Sequence, residues 1–177
     1  MLRKIKLKVE VLAHMVEDDN DVGEVAKDIL ETLLGRLGIA ASVEPCAEPF
    51  VEQEKEAPMP ITFNIEGEDL GILIGRRGQT LACLQYVVRL IVASQTKTWA
   101  PIIIDVEGYK QRRYTALQTL AWRMAEQVKT RGTPFTLEPM SAYERRIIHL
   151  ALANNSDVTT ESTGEGEERK VVILPKK

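Results

Sequence analysis

The sequence predicts an α+β chain of two small domains, and three observations predict it. Helical and strand periodicities alternate along 177 residues, a length that suits one or two small domains. A glycine-bounded dipeptide, Gly75-Arg76-Arg77-Gly78, separates an apolar run from an amphipathic helix. A long helical pattern then stops at Gly132-Thr133-Pro134, and a second group of short elements follows. The predicted units are 1–20, a strand and linker; 21–107, an α-β-β-α-β core; and 108–177, a helix, a strand, a helix and a β-hairpin.

Each element has its own signal. Val22, Val25, Ile29, Leu33 and Leu37 mark the first helix, stopped by Gly38. Ile61-Thr62-Phe63-Asn64-Ile65 alternates apolar and polar and reads as a strand. Leu81, Leu84, Val88 and Ile91 recur at helical steps, and Ile102 to Val106 reads as a buried strand. Beyond the composition shift at Glu107-Gly108, Tyr114, Leu117, Ala121, Met124 and Val128 stripe a helix running from Tyr109 to about Arg131. Phe135 to Leu137 is a short strand. Ser141-Ala142-Tyr143-Glu144 is a capping box that opens a helix ending near Asn154-Asn155, with Ile147, Ile148, Leu150, Ala151 and Leu152 as its buried side. Val158–Ser162 and Lys170–Leu174 form a hairpin around Gly164-Glu165-Gly166.

The glycine loop points to a ligand. Gly75 and Gly78 allow a sharp turn and close approach of a partner. Arg76 and Arg77 put fixed positive charge there, and a helix N-terminus follows with its free N–H groups and positive dipole end. Such a loop can clamp a sugar–phosphate backbone, as the GXXG loop of a type II KH-like domain does. Other glycine-rich loops do not fit: Gln79-Thr80 replaces the Lys-Ser/Thr of a P-loop, and the G-x-G of a dinucleotide fingerprint is absent.

Composition narrows the classes. The net charge of −3 hides an asymmetry: residues 1–69 carry 7 basic and 16 acidic side chains, residues 70–177 carry 16 basic and 10 acidic. The basic excess starts at the glycine loop, and the local field steers a polyanion. No apolar run approaches the ~20 residues of a membrane span, and the basic N-terminus lacks the apolar core of a secretory signal. Cys46 and Cys83 lack metal-ligand spacing and read as reduced thiols of a cytoplasmic protein, Cys83 buried. No metal or cofactor is expected. Nor are paired carboxylates or a nucleophile constellation found, so no catalytic residue is expected.

In the second unit Arg145 and His149, at i and i+4, share a helical face that the spacing leaves exposed. A guanidinium there can contact phosphate, and an imidazole can stack on a base or bond to it; an ordinary solvated face has the same spacing. The motifs Glu68–Leu81, Leu84–Tyr86, Asp105–Tyr109, Tyr143–His149 and Thr159–Ser162 with Gly164-Glu165-Gly166, in this order, resemble the bacterial Jag family, also called KhpB or SpoIIIJ-associated. The resemblance spans residues 21 to about 175. It implies a KH domain followed by an Arg-x-x-x-His domain, single-stranded RNA binding (single-stranded DNA being the alternative ligand), a link to cell elongation and division, and a partner KH protein of the KhpA type. Many relatives carry a further N-terminal domain and a charged linker. This chain has about 20 residues there, in which Ile5, Leu7, Val9 and Val11 alternate with charged residues like one amphipathic strand in need of a partner, in the KH sheet or in a second copy of the chain.

The expected nucleic-acid-binding residues are Gly75, Arg76, Arg77 and Gly78 with their backbone N–H groups at phosphates, Ile74 and Leu81 as groove floor, and Arg145, Arg146 and His149 in the second domain. Core packing accounts equally well for Leu81. Arg112 and Arg113 would extend the path or face solvent. Trp99, Trp122 and Tyr143 are expected in the core or at caps. The competing reading is a protein-interaction adaptor built on the KH fold and the N-terminal strand.

Overall fold

The structure, a computed structural model, describes residues 22–46 and 59–176. The amphipathic strand at 5–11 and most of the acidic 48–60 segment lie outside them. The chain divides into two compact units between Lys110 and Gln111.

The first unit opens with a helix at 22–36 (α1). Then come strands Ala41–Cys46 (β1) and Ile61–Gly67 (β2), a one-turn helix Gly71–Ile74 (α2), a 3₁₀ turn Arg76–Gly78, helix Gln79–Thr96 (α3) and strand Ile102–Val106 (β3). The sheet order is β1-β2-β3, β1 antiparallel and β3 parallel to β2. This is the KH-like core, with α2 as the element that periodicity missed: four residues are too few to show a helical period. The core comes from Ala26, Leu30 and Leu34 of α1, Phe63 and Ile65 of β2, Leu81, Val88 and Val92 of α3, and Ile102 and Ile104 of β3. Removing a core ring such as Phe63 costs about 3–5 kcal/mol. The buried face of α1 is rotated from the expected stripe: Ala26, Leu30 and Leu34 are buried, Val25 and Leu33 only partly so, and Leu37 lies past the helix and is exposed.

The outer edge of β3 is covered by side chains. Gln85 Oε1 accepts from the Ile104 N–H at 3.1 Å, Arg89 Nε donates to the Ile102 carbonyl at 2.7 Å, and the Asp105 carboxylate accepts from Val106 N–H at 2.9 Å. An edge strand with its polar groups already bonded is a poor template for another strand. On the opposite edge, Pro45 of β1 has no N–H to offer.

Residues Tyr109–Arg131 form one helix (α4), entered through two consecutive positive-φ residues, Glu107 and Gly108. Asp105, fully buried, accepts from the Lys110 N–H at 3.1 Å and so caps this helix. The second unit continues with Phe135–Thr136 (β4), Ala142–Leu152 (α5), Val158–Thr163 (β5), a 3₁₀ turn at Gly166–Glu168, and Lys170–Pro175 (β6). Its antiparallel sheet has the order β4-β6-β5. Leu117, Ala121, Met124 and Val128 of α4 pack with Ile147, Ile148 and Leu152 of α5 and Val158, Val171 and Ile173 of the sheet.

Several surface assignments differ from expectation. Trp99, Trp122, Tyr143 and Leu150 are 63, 52, 50 and 61% exposed, and Cys83 is an exposed thiol. Helical spacing counts apolar residues without knowing which neighbours cover them. On α5 the core side is taken by residues 144, 147, 148 and 152, which leaves 143, 146 and 150 outside.

Lys110 Nζ donates to Gln85 Oε1 at 2.8 Å, and burial lowers its pKa to about 8 against the opposing pull of Asp105. The unfolded chain holds this proton up to about 10.5. Stability should therefore rise as pH climbs from about 8 to 10.5, where only the unfolded state retains the proton. In thermal melts across that range, Lys110→Met should lose this rise relative to the parent protein.

Candidate nucleic-acid interface

The glycine loop is built from positive-φ backbone. Gly75 has φ 66 and ψ −173, a region essentially restricted to glycine, while Arg77 (φ 54, ψ 33) and Gly78 (φ 78, ψ 11) are left-handed. Two neighbours also occupy the space beside the glycines. A Cβ on Gly75 would lie 2.7 Å from Thr80 Cβ, and one on Gly78 would lie 2.9 Å from Tyr109 Cε1. The glycines are thus required twice, by dihedral and by contact. Tyr109, the first residue of α4, shuts the loop from one side.

The loop's own bonding narrows its donors. Gly75 N–H bonds to the Gly71 carbonyl at 2.9 Å, Gly78 N–H to Gly75 at 3.4 Å, and Gln79 N–H to Arg76. A phosphate would therefore be met by the Arg76 and Arg77 side chains and by N–H groups other than these three. Arg76 is exposed and Arg77 half-buried. The first turn of α3 has no acidic residue, so nothing there neutralises its positive end. Ile74 is half-exposed beside the loop. Leu81 is 2% exposed, a core residue supporting the loop from beneath rather than a floor that a base could touch.

In the second unit one buried carboxylate sets the geometry. Glu144 Oε2 accepts from the Ser141 N–H at 3.2 Å while Ser141 Oγ accepts from the Glu144 N–H at 3.3 Å, so the capping box is complete. Glu144 Oε1 takes Arg113 Nε and Nη2, each at 2.8 Å. Arg113 is thereby committed to this ion pair rather than to a solvated path. With α5 fixed in rotation, Arg145 and His149 lie against β5, each half-buried and still reached by water. Arg145 Nη1 donates to Ser162 Oγ at 3.3 Å. The two ring nitrogens of His149 lie 2.7 Å from Thr160 Oγ1 and 2.8 Å from Ser162 Oγ. Thr160 and Ser162, two apart on β5, were not among the expected site residues. The signal was their i, i+2 alternation, which puts both hydroxyls on one strand face. Arg145 Nε is buried and has no hydrogen-bond partner among the described residues. Arg146 is exposed on the next stripe of the helix.

Among the described residues no cluster of metal-ligating side chains occurs, and no helix is long and apolar enough to cross a membrane.

A glycine-loop αββααβ unit followed by a helix–sheet unit carrying Arg145 and His149 defines a class, a KH domain joined to an R3H domain. The comparisons agree: residues 27–104 match the KhpA/KhpB KH domain family, and residues 115–175 match the R3H domain family. RNA-binding protein KhpB of Clostridium symbiosum is 41% identical over 152 residues, 86% of this chain and 65% of its own length. That of Bacillus subtilis (strain 168) is 34% identical over 141 residues, 78% and 66%, and that of Streptococcus pneumoniae (strain D39) is 26% identical over 169 residues, 94% and 49%. The chain thus spans about half to just under two thirds of these relatives. It belongs to the KhpB family.

Two outcomes follow. The left-handed φ at Gly78 costs a side chain about 1–2 kcal/mol, so Gly78→Ala should lower stability by about that much plus the collision with Tyr109. In a double-mutant cycle followed by urea unfolding, Tyr109→Ala should remove the collision part, and Gly75→Ala should be the costlier of the two glycine lesions. Burial, then the Arg145 charge, holds the His149 pKa below its ordinary 6.5. Stability should therefore fall as pH drops below about 6.5, where the unfolded state takes the proton first. Urea midpoints between pH 7 and 5 should show that loss, and His149→Gln should reduce it.

Proposed function

We propose that this protein binds single-stranded RNA through two sites, the Gly75–Gly78 loop and the Arg145/His149 face with Arg146 beside it. The observation that carries the reading is the loop itself: a turn only glycine can make, two arginines between the glycines, and an uncompensated helix start behind it. The names of the relatives point the same way. The two domains are binding modules, not enzymes. In the second site Arg145 supplies fixed charge and a buried donor, and Thr160 and Ser162 hold the His149 ring in place. Nothing in either site identifies a 2′-hydroxyl contact, so single-stranded DNA is the control ligand. The physiological role we attach to this reading is post-transcriptional control connected with cell elongation and division, exercised in the cytoplasm.

A second reading has its own observation. Cys83, Tyr86, Val87 and Leu90 are exposed at i, i+3, i+4 and i+7 on α3, an apolar stripe on the helix face opposite its core side. A partner KH domain of the KhpA type, or a second copy of this chain, would cover it, and the adaptor reading rests on that surface.

Fluorescence anisotropy of labelled single-stranded RNA over a salt series separates the two. Neutralising roughly four phosphates gives a log–log slope near −3. Arg76→Asp with Arg77→Asp, and Arg145→Ala with His149→Ala, should each weaken binding and flatten that slope in folded protein. If the parent protein binds neither RNA nor DNA at low salt, while Leu90→Glu abolishes self-association or capture of a KH partner, the adaptor reading takes its place.

A further inference from the structure

The second unit carries a row of exposed apolar and aromatic side chains that the two sites above do not use. Trp122 is half-exposed although its indole N–H donates to the Ala151 carbonyl at 3.2 Å. An indole bonded along one edge is held in orientation while it presents the rest of its surface to water. Tyr143 is exposed near the start of α5. Helices α4 and α5 advance in the same sense, since Arg113 meets Glu144 near their starts and Trp122 meets Ala151 further on. Tyr143 and the Ala151 anchor of Trp122 are therefore spaced about 12 Å along α5. Arg146 and Leu150, at i+3 and i+7 from Tyr143, continue its exposed stripe along the length of α5. Arg146 borders the Arg145/His149 flank, since three residues separate it from His149 and place the two about 60° apart around the helix.

Charge decides what such a row would hold. From Gln111 to Arg131 and across α5 there are seven Lys and Arg against two acids, Glu126 and Glu144; Arg113 is paired with Glu144 and Lys129 with Asp157 of the turn before β5, which leaves five cations for the excess. Glu144 is buried against Arg113, which leaves Glu126, one turn beyond Trp122, as the exposed acid of these segments. An apolar protein partner has no need of that excess, whereas a polyanion with flat bases uses both features. We propose that Trp122 and Tyr143 are base-stacking residues and form, with Arg146 between them, a track for single-stranded nucleic acid along the α4/α5 seam. The inference rests on the RNA-binding reading above and extends it: the second domain would grip bases by stacking as well as phosphates by charge.

The test uses the full chain and a short oligoadenylate. In a Trp99→Phe background Trp122 is the remaining tryptophan of the sequence. Its emission should be quenched, saturably, at the same midpoint as the anisotropy change. In the otherwise unaltered protein, Trp122→Ala should weaken binding about 5- to 100-fold, the range set by losing one stacked base, and leave the salt slope unchanged. Trp122→Phe should retain most of the affinity, which guards against loss of fold in the alanine variant. Arg146→Ala should instead flatten the slope by about 0.7. Binding by the parent protein with unquenched Trp122 and full affinity in Trp122→Ala would overturn the stacking track and leave the RNA reading standing. No binding by the parent protein at low salt would overturn both. A Trp122→Ala change confined to self-association in sedimentation would assign the row to a second copy of the chain and overturn the proposal.

Discussion

A carboxylate taken out of water must find donors, and both candidate sites depend on how this chain meets that requirement. In the first unit the carboxylate is Asp105. Its donors are backbone N–H groups on either side of the β3–α4 turn. Satisfying them forces Glu107 and Gly108 into positive φ and starts α4 where Tyr109 covers Gly78. In the second unit it is Glu144, whose oxygens are divided between the cap of its own helix and Arg113 of α4. That division sets the rotation of α5, and rotation decides that Arg145 and His149 look at β5 while Arg146 looks outward. Removing Arg113 would leave the Glu144 carboxylate buried with fewer donors, a costly state, although the guanidinium itself is partly exposed. The geometry is therefore held far more firmly than a surface ion pair would hold it.

The same constraint explains what could be read from the sequence. The capping box was legible because its two partners are three residues apart and local physics settles the contact. The order of elements was legible because period 2 and period 3.6 differ over spans as short as Ile61–Ile65 and Leu81–Ile91. Gly75 and Gly78 stood out because few other residues tolerate those dihedrals. Contacts that need a third element were not legible. Nothing local says that Glu144 takes Arg113, 31 residues away, or that Thr160 and Ser162 will sit opposite His149. The register of β5 against α5 is set by Val158, Ile148 and Ile173 packing together, a property of the folded unit. Hydrophobic character is what places Trp122, Tyr143 and Trp99 in the core or at caps, and Cys83 in the interior. That character describes the cost of exposure and not whether function has accepted it.

Exposed apolar groups are informative here because the rest of the surface shows that the fold controls exposure elsewhere. The β3 edge, which could recruit another strand, is bonded shut by Gln85, Arg89 and Asp105, and the β1 edge contains a proline. Backbone-mediated association is thus suppressed at both ends of the first sheet. Among the described residues the exposed side-chain surfaces include the α3 stripe in one unit and the aromatic row of α4 and α5 in the other. Edges that resist strand pairing beside exposed side-chain surfaces favour recognition by side-chain chemistry.

Net acidity does not stand against a polyanionic ligand. At physiological ionic strength the Debye length is about 8 Å, so an exposed charge farther away contributes little to the field at a given phosphate. In the proposed reading a phosphate near α5 would meet Arg145 and Arg146, with the one acid of that helix neutralised inside the protein by Arg113. A site built this way needs few cations, and few cations mean a shallow salt dependence. Specificity and residence must then come from groups that do not screen. Stacked rings and hydroxyls held by neighbouring side chains are such groups. In the proposed reading the Trp122 indole pinned to Ala151, and the His149 ring held between two hydroxyls, would supply them in the second unit.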